Sequence, residues 1–167
     1  DLASPTPVVL ALSRRLRRFF AAAQPDEIAE RVAQMIPTLR RLAPQLVFHV
    51  LRCWCICWCT ARRVGATRRR CIFGCSADDA LAHYVACSPL WDAVASATHA
   101  GLVASRWERL CLGQDEPQRR WGRTTLAILQ LGVATDAYHS GRSDVLVAPA
   151  RLSELCADAA RRLRPFA

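Results

Sequence analysis

The sequence predicts an all-α fold carrying a small zinc-knuckle-like insert of the Cys-Cys-His-Cys type. Three observations lead there. Apolar residues recur at helical spacing along most of the 167-residue chain, 52% of the chain is apolar, and Cys71, Cys75, His83 and Cys87 fall within seventeen positions of one another. That apolar fraction suffices for a buried core, and the length suits one domain of ordinary size. Strict two-residue alternation, the mark of a strand, is absent apart from Asp144 to Val147, and no internal repeat is visible.

Residues 1–8, with Pro5 and Pro7, read as linker. Residues 9–60 read as N-terminal helices. Val9 to Ala23 interleaves Leu10, Leu12, Leu16, Phe19 and Phe20 with Arg14, Arg15, Arg17 and Arg18, a basic amphipathic helix. Pro25 opens a second helix whose first turn holds Asp26 and Glu27, where the helix dipole favours acid, and Pro37 ends or kinks it. A third runs from Pro44 toward Cys59 on Leu46, Val47, Val50, Leu51 and Trp54. Residues 61–92 form the metal module, which closes on Ser88-Pro89, an N-cap followed by proline at the first helical position. Residues 93–167 complete the domain. The Ser88 helix should stop near Gly101, and further helices are expected over Val103 to Leu112, Arg119 to Tyr138 and Arg151 to Leu163. The predicted core includes Leu51, Trp54, Trp91, Trp107, Leu126, Ile128 and Leu131.

Zn²⁺ takes four soft or borderline ligands in a tetrahedron, and thiolate and imidazole are its usual donors. Cys71-Ile-Phe-Gly-Cys75 is a short turn in which Gly74 can adopt positive φ. His83 and Cys87 are four apart, which on a helix places both on one face. Ser76-Ala-Asp-Asp79 resembles a capping box that would start that helix. Four protein ligands leave no open position, so the expected metal is structural. The alternating run Cys53, Cys55, Cys57 and Cys59 lacks a second ligand group at finger-like spacing and is read as core, with Cys59 nearest the zinc module.

The chain carries a net charge of +9, and all 23 of its basic residues are arginine. That balance favours a polyanionic partner, RNA or DNA. Arg62, Arg63, Arg68, Arg69 and Arg70 crowd before the first ligand cysteine and are the candidate phosphate contacts. Trp58 and Phe73 are candidates for stacking on unpaired bases, with core packing as the alternative. Nine cysteines clustered mainly between Cys53 and Cys87, behind no signal-peptide pattern, argue against a secreted disulfide framework and for an intracellular, nuclear or cytoplasmic setting. The longest apolar run, Leu46 to Cys59, is too short to span a bilayer, so no membrane partner is expected.

Several segments together resemble a known family. Leu51-Arg-Cys-Trp54, Trp58-Cys-Thr-Ala-Arg-Arg63, Cys71-Ile-Phe-Gly-Cys75, His83-Tyr84, Cys87 and Leu90-Trp91 are similar to the zinc-binding region that follows the polymerase domain in reverse transcriptases of non-LTR retrotransposons. Ala137-Tyr138-His139 with Arg142 is similar to a basic helix further downstream in such proteins, whereas Cys55-Ile56-Cys57 departs from the family's polar and glycine residues. The resemblance implies a nucleic-acid-handling module with Cys71, Cys75, His83 and Cys87 as metal ligands. The chain contains no Tyr-x-Asp-Asp segment for catalytic metals, no glycine-rich phosphate loop and no nucleophile motif. It is therefore expected not to be an enzyme and to take no small-molecule substrate. Asp1 in place of Met suggests a processed product or a fragment C-terminal to the polymerase. A zinc-stapled helical scaffold, docking partner helices through Val9 to Ala23 and Arg119 to Tyr138, is the alternative function.

Overall fold

Proline opens most of the helices. In a computed structural model, which describes residues 6–58, 60, 70–101, 103, 105–113 and 120–167, Pro7, Pro25, Pro44 and Pro149 each occupy the first position of a helix, and Pro89 sits within the first turn of another. The fixed φ of proline suits that place, and its missing N–H is one no helix uses. The elements are α1 (Pro7–Leu16) with a trailing 3-10 turn (Arg17–Phe19), α2 (Pro25–Leu39), α3 (Pro44–Trp54), α4 (Leu81–Tyr84), α5 (Ser88–Thr98), α6 (Arg106–Arg109), α7 (Arg120–Gly141), and α8 (Pro149–Leu163) with a closing 3-10 turn (Arg164–Phe166). Among the described residues there is no strand, only an isolated antiparallel bridge between Arg70 and Asp78, so the all-α expectation holds.

The long helix α7 is the axis of the molecule. It packs against α3, α5, α6 and α8, while α1 packs on α2 and touches α3. Ile128, Leu131, Val133, Ala134 and Ala137 of α7 are all buried. From Ala127 onward most of that helix is buried by its own chain, while Gly122 and Arg123 near its start are exposed. Around it lie Leu16, Ile28, Leu46, Val50, Trp54, Leu90, Trp91 and Leu110, none more than 1% exposed.

Several boundaries differ from expectation. The chain is already helical at Pro7 and Val8, which the linker assignment had included, because the Thr6 side chain accepts from the Val9 N–H and caps α1. The same helix tightens into a 3-10 turn after Leu16 instead of running to Ala23. Pro37 lies inside α2 without ending it. Helix α3 stops at Trp54, after which Cys55 and Ile56 leave the helical conformation, Ile56 at a φ of 57°. The cysteine run is thus not one helix: Cys53 is buried, Cys55 and Cys57 are half-buried, and Cys59 lies outside the described residues. Leu51 faces solvent at 40% exposure, Trp107 and Leu126 are half-buried, and the remaining predicted core positions are buried. Helix α5 is capped from Cys87, one residue before the expected Ser88, and ends at Thr98 with His99 in the left-handed region. Among the described residues of Val103 to Leu112 a single turn, α6, forms, set by a capping box between Ser105 and Glu108. Asp144 to Val147 is not a strand.

Part of the positive charge is structural. Arg31 bonds Glu27 at 2.8 Å and the Leu112 carbonyl at 2.9 Å, and lies over the Trp107 ring. Arg106 donates to the Phe19 carbonyl at 2.8 Å; Arg109 donates to the Val85 and Val103 carbonyls and covers Trp91. These guanidiniums satisfy carbonyls at turns and helix ends, which have no intrahelical partner.

Candidate metal centre

The segment from Cys71 to Cys87 begins with a tight turn. The Gly74 N–H donates to the Cys71 carbonyl at 3.2 Å, and Gly74 takes a φ of 87°, a conformation that glycine adopts without strain. The Cys71 N–H returns to the Ala77 carbonyl at 2.8 Å, which closes the loop. Helix α4 is a single turn, and the chain then bends through Ala86 N–H to His83 carbonyl (2.7 Å) before α5 begins. His83 and Cys87 therefore do not share a helix, as their spacing predicted. They meet because the short helix ends and the chain folds back on itself.

The four side chains converge. The sulfurs of Cys71, Cys75 and Cys87 and a ring nitrogen of His83 all lie within 4.8 Å of one another. The Cys71 and Cys87 sulfurs are 3.8 Å apart, and those of Cys75 and Cys87 are 3.7 Å apart. A tetrahedron with metal–sulfur bonds of about 2.3 Å has edges of about 3.8 Å, so this spacing matches that of zinc thiolates. His83 Nε2 is buried without a hydrogen-bond partner among the described residues, a costly state for a polar atom unless a ligand takes it up. The donor set thus fits a metal ion and is compatible with zinc.

Electrostatics within the cluster are uneven. Cys71 has its pKa lowered to about 5, first by the hydrogen bond from the Cys87 thiol, with burial opposing and the N–H groups of Phe73 and Cys75 assisting. The Phe73 N–H lies 3.4 Å from the Cys71 sulfur. Cys87 is shifted upward by the same shared hydrogen and then by burial, and burial also pushes Cys75 upward.

A layer that sequence reasoning missed supports these ligands. Asp79 is buried and accepts from Tyr84 Oη at 2.8 Å and from Tyr138 Oη at 3.3 Å. Asp79 is not the helix-start acid the capping-box reading made it: α4 is preceded by Ala80, with no side-chain cap. Burial, followed by the bond to Asp79, pushes the Tyr84 phenol upward and keeps it a donor. Tyr84 Oη also accepts from the Ile72 N–H at 3.3 Å, and the Trp91 indole donates to the Tyr84 carbonyl at 2.9 Å. The Val147 N–H donates to the Ile72 carbonyl at 2.7 Å, which ties the α7–α8 connection to the cysteine turn. The available signal was an acid flanked by a bulky aromatic five positions on, too common a pattern to single out.

The nucleic-acid candidates fall into three groups. Arg62, Arg63, Arg68 and Arg69 lie outside the described residues, while Arg70 is exposed beside Cys71. Trp58 is 2% exposed, stacked on Tyr138 at a ring separation of 4.8 Å, and Phe73 is 5% exposed, edge-on to Tyr84 at 5.7 Å. Both rings are core residues with no free face for a base, which corrects the stacking expectation in favour of its alternative. The apolar neighbours on either side drew them inward.

Comparison of the chain with protein-family models, with curated proteins and with solved structures gives no match. Among the described residues, no helix is long and apolar enough to cross a membrane.

Proposed function

We propose that this chain is a non-catalytic nucleic-acid-binding module in which Cys71, Cys75, His83 and Cys87 hold one structural Zn²⁺ in a knuckle-like insert. The observation that carries the metal half is the convergence of three sulfurs and a ring nitrogen of His83 within 4.8 Å of one another. Four protein ligands close the coordination sphere, so the ion would stabilise the fold and would not activate water. The nucleic-acid half is supported by the net charge of +9 and by the arginines 62, 63, 68, 69 and 70 that lead into the first ligand. The resemblance to the region downstream of the polymerase in non-LTR retrotransposon reverse transcriptases points the same way, with RNA or DNA as partner and the polymerase elsewhere in the parent protein.

Two measurements test this reading. Elemental analysis of purified protein should give one zinc per chain, and cobalt substitution should give the absorption of a tetrahedral thiolate site. Both signals should be lost in Cys71→Ser and Cys87→Ser. Binding of a labelled oligonucleotide should fall steeply between 50 and 200 mM salt, because phosphate contacts release counterions. Metal-free native protein would refute the first half, and salt-independent or absent oligonucleotide binding the second.

A protein-interaction role has one specific observation in its favour. Phe48 of α3 (58% exposed) and Phe166 (40%) line a recess with Pro44 and Leu163, alongside Gln45, His49, Asp136 and Arg162.

A further inference from the structure

A second feature, separate from the metal, lies between the N-terminal helix and the segment that presents His83. There a recess of about 840 Å³ opens among three pieces of chain. Arg15 and Arg18 contribute from α1 and its 3-10 turn, Ile56 and Thr60 from the connection after α3, and Leu81 and Ala82 from α4. No carboxylate lines it among the described residues, and residues 7–20 contain no acidic side chain. Arg15 is held in place by a bond from its guanidinium to the Cys55 carbonyl at 3.3 Å, while Arg18 is exposed and makes no ion pair among the described residues. The recess reaches Thr60, where the sequence enters the arginine-rich stretch 62–70.

From this arrangement we infer that the recess takes the sugar–phosphate backbone of a single-stranded nucleic acid, with phosphates on Arg15 and Arg18. The inference rests on the nucleic-acid reading above and gives it a surface outside the arginines 62–70. Guanidinium forks suit phosphate oxygens, and a positive groove that tracks the backbone is the common device of single-strand binders. Among the described residues the rest of the lining is small or aliphatic, without an aromatic platform, so contact would be to backbone and sugar and indifferent to sequence. A bilayer is a plane and would be met by an outward apolar helix face, not by arginines turned toward a recess. Ala82 immediately precedes His83, so one wall of the recess belongs to the segment the metal would fix.

The test is fluorescence anisotropy of labelled twelve-nucleotide oligo-dT and oligo-U with the full chain, compared with Arg15→Gln/Arg18→Gln and with Arg18→Glu alone. The single variant keeps the Arg15–Cys55 bond and so guards against a folding artefact, with metal content and helical circular dichroism as controls. Each variant should weaken binding at 50 mM salt about tenfold or more, and the double variant should reduce the salt slope by about 1.4, at about 0.7 per single-strand phosphate. Wild-type affinity in a folded Arg18→Glu protein, while the wild type binds with a normal salt slope, overturns the recess and leaves the nucleic-acid reading standing. No oligonucleotide binding by the wild type refutes both. Loss in the variants of binding to phosphatidylserine vesicles, with oligonucleotide binding unchanged, assigns the arginines to a membrane surface and also overturns the proposal.

Discussion

Asp79 receives one phenol from its own loop and one from α7, 59 residues away, and single-atom changes can weigh each contact. Tyr84→Phe removes the 2.8 Å bond and deprives the Ile72 N–H of its acceptor, so it should cost about 1–3 kcal/mol. Tyr138→Phe removes the 3.3 Å bond that reaches Asp79 from α7 and should also lower stability. Urea titration reads both, and metal content should be unchanged from wild type, because neither residue belongs to the Cys71, Cys75, His83 and Cys87 cluster. His139 allows a pH test. Burial, then repulsion from Arg52 and Arg142, lowers its pKa from 6.5 to about 4, and neither ring nitrogen has a hydrogen-bond partner among the described residues. The folded chain holds this imidazole neutral while the unfolded chain protonates it. The unfolded state therefore binds more protons between pH 6.5 and about 4, and stability should fall as pH drops through that window. Replacing His139 with Phe keeps a ring against Trp58 and Tyr138 and removes the titration. The difference in melting temperature between variant and wild type, taken at pH 7 and near pH 5, should shift toward the variant at the lower pH.

Short elements depend on a few turn residues. Ser105 caps α6 reciprocally with Glu108, and Ser105→Ala should cost about 1 kcal/mol, visible as a lower melting temperature without change in metal content. Gly74→Ala places a side chain at a φ of 87°, which should cost about 1–3 kcal/mol and slow metal uptake. What could be read from sequence at this scale follows the range of the forces involved. Pro25 and Pro44 announced their helices because a proline start is decided locally, and by the same rule Pro7 and Pro149 mark starts that a reading from apolar spacing placed two residues late. The cluster of Cys71, Cys75, His83 and Cys87 was legible because thiols and an imidazole at that spacing are distinctive, although the geometry joining His83 to Cys87 was not. The capping box failed at Asp79 because its carboxylate is claimed by Tyr138, a residue no local window contains. Helix α3 stops at Trp54, whose indole donates to the Leu110 carbonyl at 2.8 Å, another long-range bond that a helical periodicity cannot announce.

Across the whole molecule, bonds that fasten segment 71–87 to the helical core include Tyr138 to Asp79, Val147 to Ile72, the Trp91 indole to Tyr84, and Arg109 to the Val85 carbonyl. Metal removal should consequently lower the stability of the entire domain and not merely loosen a loop. Chelation should shift the melting temperature of the bulk helical signal and raise hydrogen exchange in α7 as well as in residues 71–87. A shift confined to the metal segment would show that the fastening is weak. The same separation along the chain bears on the order of folding. Cys71 to Cys87 is a short loop whose closure costs little entropy, whereas Asp79 waits for a tyrosine 59 positions downstream. At about 5–20 residues per second, a growing chain presents Cys71, Cys75, His83 and Cys87 together for roughly 2.5–10 s before Tyr138 has been made. A zinc ion captured in that interval would hold the nascent loop ready as a template on which α7 later docks. Cells short of zinc would then accumulate chains delayed at that step, with cysteine thiols open to oxidation.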